Sequence, residues 1–229
     1  MLEGPVRSKK VTIGLDGAAT ISGLLLAPDR SSACYVMAHG AGAGMTHPFM
    51  TAVAEGLADR NIATLRYQFP YMEQGSKRPD RPAVAQATVR AAGQFALGLL
   101  PDVPLVAGGK SFGGRMTSQA QAEEPLPGVI GLVFLGFPLH PAGKPDDGRA
   151  DHLTAIRVPM LFLQGTRDSL ASMSLLVPLI DRLGKQATLS VVEDADHSFH
   201  VPARSGKTDQ QVMREMLDVM AGWISRLNS

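Results

Sequence analysis

The sequence predicts an α/β fold: a doubly wound, mostly parallel sheet with helices on both faces. Two observations carry that expectation. Strand-like and helix-like segments alternate from residue 32 to the end of the chain. The later strands, such as "GVIGLVFLGF" at 128–137, are continuous apolar runs, the pattern of strands covered by helices on both sides. At 229 residues the chain is long enough for one domain with a substantial core and short for two, so residues 1–229 read as a single domain.

Taken in order, Val11 to Leu15 and Thr20 to Ala27 read as strands joined by the turn signal Asp16-Gly17, an antiparallel entry into the sheet. "SACYVMA" at 32–38 is a short buried strand ended by His39-Gly40. Residues 48–60 are helical, with Pro48 in the first turn and Phe49, Val53 and Leu57 on one face. "NIATLRYQF" at 61–69 is a strand, 82–100 a helix, 104–108 a strand and 111–122 a helix. Strands follow at 128–137 and 158–165, then an imperfect helix to Gly184 that contains Pro178, and a last strand at 187–193. Thr208 with Gln211 forms a capping box for the final helix, whose apolar stripe is Val212, Met216, Met220, Trp223 and Leu227.

Composition narrows the function classes. Net charge is +1, so there is no electrostatic footprint for nucleic acid and no partner of that kind is expected. No apolar run is long enough for a transmembrane helix, and "MLEGPVRSKKVTIGLDG" has no signal-peptide core, so no membrane association is expected. A single cysteine, Cys34, excludes an intrachain disulfide and suits a reducing compartment, so a cytoplasmic location is expected. Cys34 itself reads as a buried strand residue. The oligomeric state is not legible.

Ligands of doubly wound sheets bind at the C-terminal ends of the strands. That rule selects 39–44, 69–81, 110–113, 137–152 and 165–168, with His197 just past the last strand. One of these segments is "GGKSFGGRM" at 108–116, which fits G-x-S-x-G between a strand and a helix. In that context the motif is a tight turn that lifts the serine, Ser111, above the sheet edge. A phosphate loop would need glycine where Pro104 stands, and a linker would not have apolar segments on both sides.

A serine hydroxyl needs a base, usually a histidine oriented by a carboxylate. On this topology the chain order is serine, acid, histidine. His197 in "EDADHSFH" fits as base, with His200 the nearby rival, and Asp168 in "LFLQGTRD" fits as the orienting acid. The plainer reading of Asp168, a helix cap, is the weaker of the two. Asp194 and Asp196 lie too close to His197 in sequence for the usual geometry, and Asp146, Asp147 and Asp151 follow the wrong strand. An oxyanion needs donors in place before reaction. The N–H of Phe112 is one candidate, and the small-residue loop "HGAGAG" at 39–44 supplies the other, Ala41 before Gly42. His197 and His200 lack a third metal ligand, so neither metal nor cofactor is expected.

With these residues in place, the chain resembles the α/β-hydrolase superfamily. Within it, it is similar to the subfamily that includes a testis-expressed protein and a histone-acetyltransferase-complex subunit, whose bacterial members are dienelactone-hydrolase-like. The resemblance runs through "HGAGAGMTHPFM", "RYQFPYMEQGSKRPDRP", "GGKSFGGRM", "LGFPLHPAGKP", "VPMLFLQGTRD" and "DADHSF". It implies Ser111, Asp168 and His197 as the triad and no particular substrate. It also raises a second reading, an interaction protein without turnover, although the intact triad argues for an enzyme.

The expected activity is hydrolysis of a small ester or thioester through an acyl-enzyme, with peptidase or acyltransferase chemistry on the same triad as the alternative. The polar loop "PLHPAGKPDDGRADH" leaves no room for a large cap, which predicts an open site for a small-molecule substrate. His39, Tyr71, Lys110 and His140 are the substrate-binding candidates. Lys77, Arg78 and Arg81 in "YMEQGSKRPDRP" hint at an anionic substrate, against the plainer reading of a solvated loop.

Overall fold

The computed structural model describes residues 8–228. Eight strands form one sheet: β1 Lys9–Gly14, β2 Thr20–Leu26, β3 Ala33–Ala38, β4 Ile62–Tyr67, β5 Leu105–Lys110, β6 Val129–Leu135, β7 Met160–Gly165 and β8 Ala187–Val192. Their spatial order is β1-β2-β4-β3-β5-β6-β7-β8. The β1–β2 and β2–β4 pairs are antiparallel and all later pairs parallel, so the antiparallel entry and the mostly parallel sheet are both as expected.

Among the described residues six α-helices accompany the strands: α1 Pro48–Ala58, α2 Pro70–Glu73, α3 Pro82–Leu99, α4 Phe112–Glu123, α5 Met173–Leu183 and α6 Asp209–Leu227. They divide the core in two. Ala85, Val89 and Ala92 of α3, Met116 and Ala120 of α4, and Leu176 and Leu179 of α5 pack on one face of the sheet. Met50, Val53 and Leu57 of α1 pack on the other face with Val212, Met216, Met220 and Trp223 of α6. Both faces are therefore covered, which is why β3, β4 and β7 can be buried at every position. The capping box of α6 is present in both halves, Thr208 Oγ1 accepting from the Gln211 N–H and Gln211 Oε1 from the Thr208 N–H.

Three departures from the sequence reading have physical causes. The stretch after β4 begins with the short helix α2, started by Pro70, instead of continuing as an open loop. β5 runs on to Lys110 because Gly109 and Lys110 still pair with Phe134 and Leu135 of β6. α5 starts only at Met173 and carries Pro178 in its interior, held by burial of Leu176, Leu179 and Leu183. Between β6 and β7 the one regular element is a 3₁₀ segment, Gly148–Ala155, so there is no large cap.

The chain leaves β4 on one side of β3 and returns as β5 on the other, so the loops after β3 and β5 part at this point. Such a switch point opens a crevice above the C-terminal strand ends.

Candidate active site

Ser111 stands at that crevice, between β5 and α4, with φ 51° and ψ −113°. A serine rarely adopts this backbone, and such strain persists only where the surroundings over-determine it. Two glycines of the motif supply the room. A Cβ on Gly109, whose φ is 150°, would lie 2.1 Å from the Ala38 carbonyl oxygen, and one on Gly113 would lie 2.6 Å from the carbonyl oxygens of Ala38 and His39. The turn therefore sits directly against the end of β3, and only glycine fits at either position.

His197 reaches Ser111 from the loop after β8. Its Nε2 lies 2.9 Å from Ser111 Oγ, and its Nδ1 lies 2.7 Å from Oδ2 of Asp168. With the Nδ1 proton on the carboxylate side, Nε2 is left with a lone pair facing the serine hydroxyl. The Asp168 side chain is fully buried. Its Oδ1 accepts from the Leu170 N–H at 2.8 Å, and its Oδ2 also accepts from Nε2 of Gln164. These bonds fix the carboxylate and offset its desolvation. Gln164 is fully buried in β7, and its Oε1 accepts from the Phe137 N–H at 2.9 Å. It is a part of the site that the sequence reading did not select, although a lone amide inside "MLFLQG" is a legible signal.

The loop carrying His197 is fastened along its length. The Arg167 N–H donates to the Ala195 carbonyl, the Asp194 N–H to Thr166 Oγ1, and Oδ1 of Asp196 accepts from the N–H groups of Ser198 and His200. His200, the rival base, is exposed and paired with Asp209 at 2.8 Å, which raises its pKa. Asp147 pairs with Arg182, and Asp146 accepts from the Gly148 N–H.

Across from His197 lies the loop after β3. A Cβ on Gly40 would stand 3.9 Å from Ser111 Cβ, so this backbone runs beside the serine. Its carbonyls are tied back: Gly40's by Nδ1 of His39 at 2.8 Å, Ala41's by the Tyr71 hydroxyl at 2.9 Å. Among the described residues there are no cis peptides, and a trans peptide points its N–H opposite to its carbonyl. The N–H groups of Ala41 and Gly42 are thereby turned away from these anchors, and both residues line the cavity at Ser111. Phe112 is the first residue of α4, where an N–H has no intrahelical acceptor.

The cavity measures about 340 Å³ and is walled by Gly40 to Ala43, His47, Phe49, Met50, Lys110, Ser111, His197 and Ser198. Of the four substrate-binding candidates only Lys110 lines it. His39 is fully buried, its Nε2 accepts from the Phe69 N–H, and burial lowers its pKa, so it is a neutral strut for the loop. Tyr71 belongs to α2, donates its hydroxyl to the Ala41 carbonyl and packs its ring against Phe69 and Phe112. His140 is buried and fully engaged, Nδ1 with the Pro141 carbonyl and Nε2 with the Ser172 N–H. Lys77, Arg78 and Arg81 are exposed, and none of them lines the cavity. Cys34 is buried in β3, and desolvation pushes its thiol up to about 12, so it is no nucleophile at neutral pH. Among the described residues no group of three or more His, Cys, Asp or Glu could hold a metal ion, and no helix is long and apolar enough to cross a membrane.

The fold is shared with solved structures. A dienelactone hydrolase from Anabaena variabilis matches with a TM-score of 0.79 at 19% identity, covering 97% of this chain and 99% of that one. The esterase domain of a Rhodothermus marinus protein matches with a TM-score of 0.74 at 17% identity, over 97% and 100% of the two chains. A Xanthomonas campestris serine hydrolase described as lacking a lid matches with a TM-score of 0.69 at 20% identity, over 98% and 94%. The sequence profile of the alpha/beta hydrolase domain family matches residues 31–225. With that match spanning most of its length, the chain belongs to the alpha/beta hydrolase domain family.

Proposed function

We propose that this single α/β-hydrolase domain is a serine hydrolase that cleaves a small ester or thioester through an acyl-enzyme on Ser111. The observation that carries the reading is the continuous chain from Ser111 Oγ to His197 Nε2 and from His197 Nδ1 to the buried Asp168 carboxylate, at 2.9 and 2.7 Å.

In the first half-reaction Ser111 Oγ attacks the substrate carbonyl while Nε2 of His197 takes its proton. Asp168 holds the imidazole in the required tautomer and stabilises the imidazolium. The oxyanion accepts from the N–H groups of Phe112 and Ala41, with Gly42 beside them, and such preplaced donors are a large catalytic term. Collapse of the tetrahedral species breaks the bond to the alcohol or thiol, which leaves with the proton from His197. Water then attacks the acyl-enzyme with His197 as base, and the acid is released as Ser111 is regenerated. These steps require no metal or cofactor.

A cavity of about 340 Å³, walled on one side by small residues, suits a compact acyl or alkoxy group. The lidless architecture suits substrates that enter without a closing step. The names of the structural neighbours, dienelactone hydrolase and esterase, agree with ester chemistry.

The test is labelling with a fluorophosphonate probe at pH 7.5, the adduct mapped by mass spectrometry. Labelling is expected on Ser111, to be lost in Ser111→Ala and to fall by about 10⁶-fold in rate in His197→Ala, the scale of removing the triad histidine. A folded wild-type protein that does not label overturns the mechanism and favours a partner-binding role.

A further inference from the structure

Lys110 is the last residue of β5 and stands directly before Ser111. Its ammonium crosses from the serine turn to the base loop, where Nζ donates to the His197 carbonyl at 2.5 Å. It also lies over two aromatic rings, 5.2 Å from the centre of Phe199 and 5.9 Å from that of Phe49. Those rings stack on each other at 5.8 Å, nearly parallel. One cation therefore ties three elements: β5, α1 through Phe49, and the loop after β8 through His197 and Phe199.

That loop needs such a tie. Asp194 and Phe199 both have positive φ, 59° and 64°, a costly backbone for residues other than glycine. The bonds from Arg167 and Asp194 fasten the part of the loop before His197 to the end of β7. The bond from Lys110 acts on the His197 backbone itself, from the side on which Ser111 lies.

We propose that Lys110 is a positioning residue: by holding the His197 backbone carbonyl it fixes the imidazole against Ser111. The proposal rests on the serine-hydrolase reading and deepens it. Charge supports it as well. The Lys110 ammonium is attracted by the Asp168 and Asp196 carboxylates, and the imidazolium balances the oxyanion after attack, so the step adds no net charge to the centre. A neutral isostere in place of Lys110 would remove that attraction.

The groups facing the ammonium are Asp168 at the end of β7, Asp196 and His197 of the base loop, and the rings of Phe49 and Phe199. Burial lowers the Lys110 pKa to about 8, with Asp168 and Asp196 opposing the shift. The cation is accordingly present at neutral pH and is lost as pH rises through about 8, which weakens both the bond to His197 and the cation–π contacts.

The experiment is the rate of fluorophosphonate labelling from pH 6 to 10 for wild type, Lys110→Met and Lys110→Arg, with thermal unfolding of each followed in parallel. Wild-type labelling is expected to fall above about pH 8. Lys110→Met should label about 10²-fold more slowly at pH 7.5, the scale of a 1 Å misplacement, and lose the alkaline fall. Lys110→Arg should recover part of the rate and keep it to pH 10. Wild-type labelling that holds flat from pH 8 to 10, or a folded Lys110→Met protein with the wild-type rate and profile, overturns the proposal while leaving the serine-hydrolase reading intact. If Lys110→Met does not fold, the wild-type and Lys110→Arg profiles still decide it. Absence of labelling in wild type overturns both.

Discussion

Asp168 takes its setting from a residue that never meets substrate. Gln164 is buried in β7, donates to Asp168 Oδ2 and accepts from the Phe137 N–H. Replacing it with Leu removes one donor from a buried carboxylate and orphans a buried N–H, which costs about 1–3 kcal/mol. Gln164→Leu is therefore expected to lower the unfolding free energy by that amount and to slow Ser111 labelling at least 10-fold, measured by urea unfolding and probe kinetics. A merely structural glutamine would move the first readout and leave the second. His39 and Tyr71 act one step further out, holding carbonyls so that the opposite faces of their peptides are free.

The turn between β5 and α4 is an element-scale device. Neither the strain at Ser111 nor the contact of Gly113 with β3 belongs to one residue, because α4 must lean on the end of β3 for the serine to stand where it does. Gly113→Ala would drive a methyl to 2.6 Å from the Ala38 carbonyl oxygen and push the helix off the strand. Overpacking of backbone against backbone costs about 1–3 kcal/mol. The expected outcome is a folded but destabilised protein in which Ser111 no longer labels at a measurable rate, checked by thermal unfolding and mass spectrometry of the probe reaction. G-x-S-x-G and its flanking strand and helix made this element legible in the sequence, since the glycines and the period change are both local features. The interior proline of α5 was less legible, because the burial that holds the helix comes from the sheet.

Across the whole molecule, the loop that replaces a cap packs on α4, with one side-chain hydrogen bond at the contact. Nε2 of His152, in the 3₁₀ segment, lies 2.8 Å from Oγ of the buried Ser118. Burial and the nearby Arg115 lower the His152 pKa to about 4. The unfolded chain binds a proton there near pH 6.5 and the folded chain does not until about pH 4. The stability this neutral imidazole contributes is therefore present in full above about pH 6.5 and is lost as pH falls toward 4. His152→Gln, which keeps a polar partner for Ser118, should flatten the decline of melting temperature between pH 6.5 and 4 while Ser111 labelling at pH 7.5 is unchanged. A wild-type slope retained in the variant would contradict this origin.

By itself the sequence determined the doubly wound sheet, the strand-to-helix turn at Ser111 and the positions of Asp168 and His197 at strand ends, because period, glycine spacing and chain order are local or ordinal properties. Only the tertiary structure decided what surrounds those residues. His39, Tyr71, Lys110 and His140 all lie at or just past strand ends, and proximity to a strand end does not say which way a side chain turns. Lys110 alone reached the cavity, while His39 and Tyr71 became struts and His140 a buried link to Ser172. The amide of Gln164, the tie from Lys110 to His197 and the clamp of His152 on Ser118 join residues 4, 87 and 34 apart in the chain. The tie from Lys110 to His197 exists because parallel crossovers bring distant strand ends together, and the tie from His152 to Ser118 because the 3₁₀ segment packs on α4.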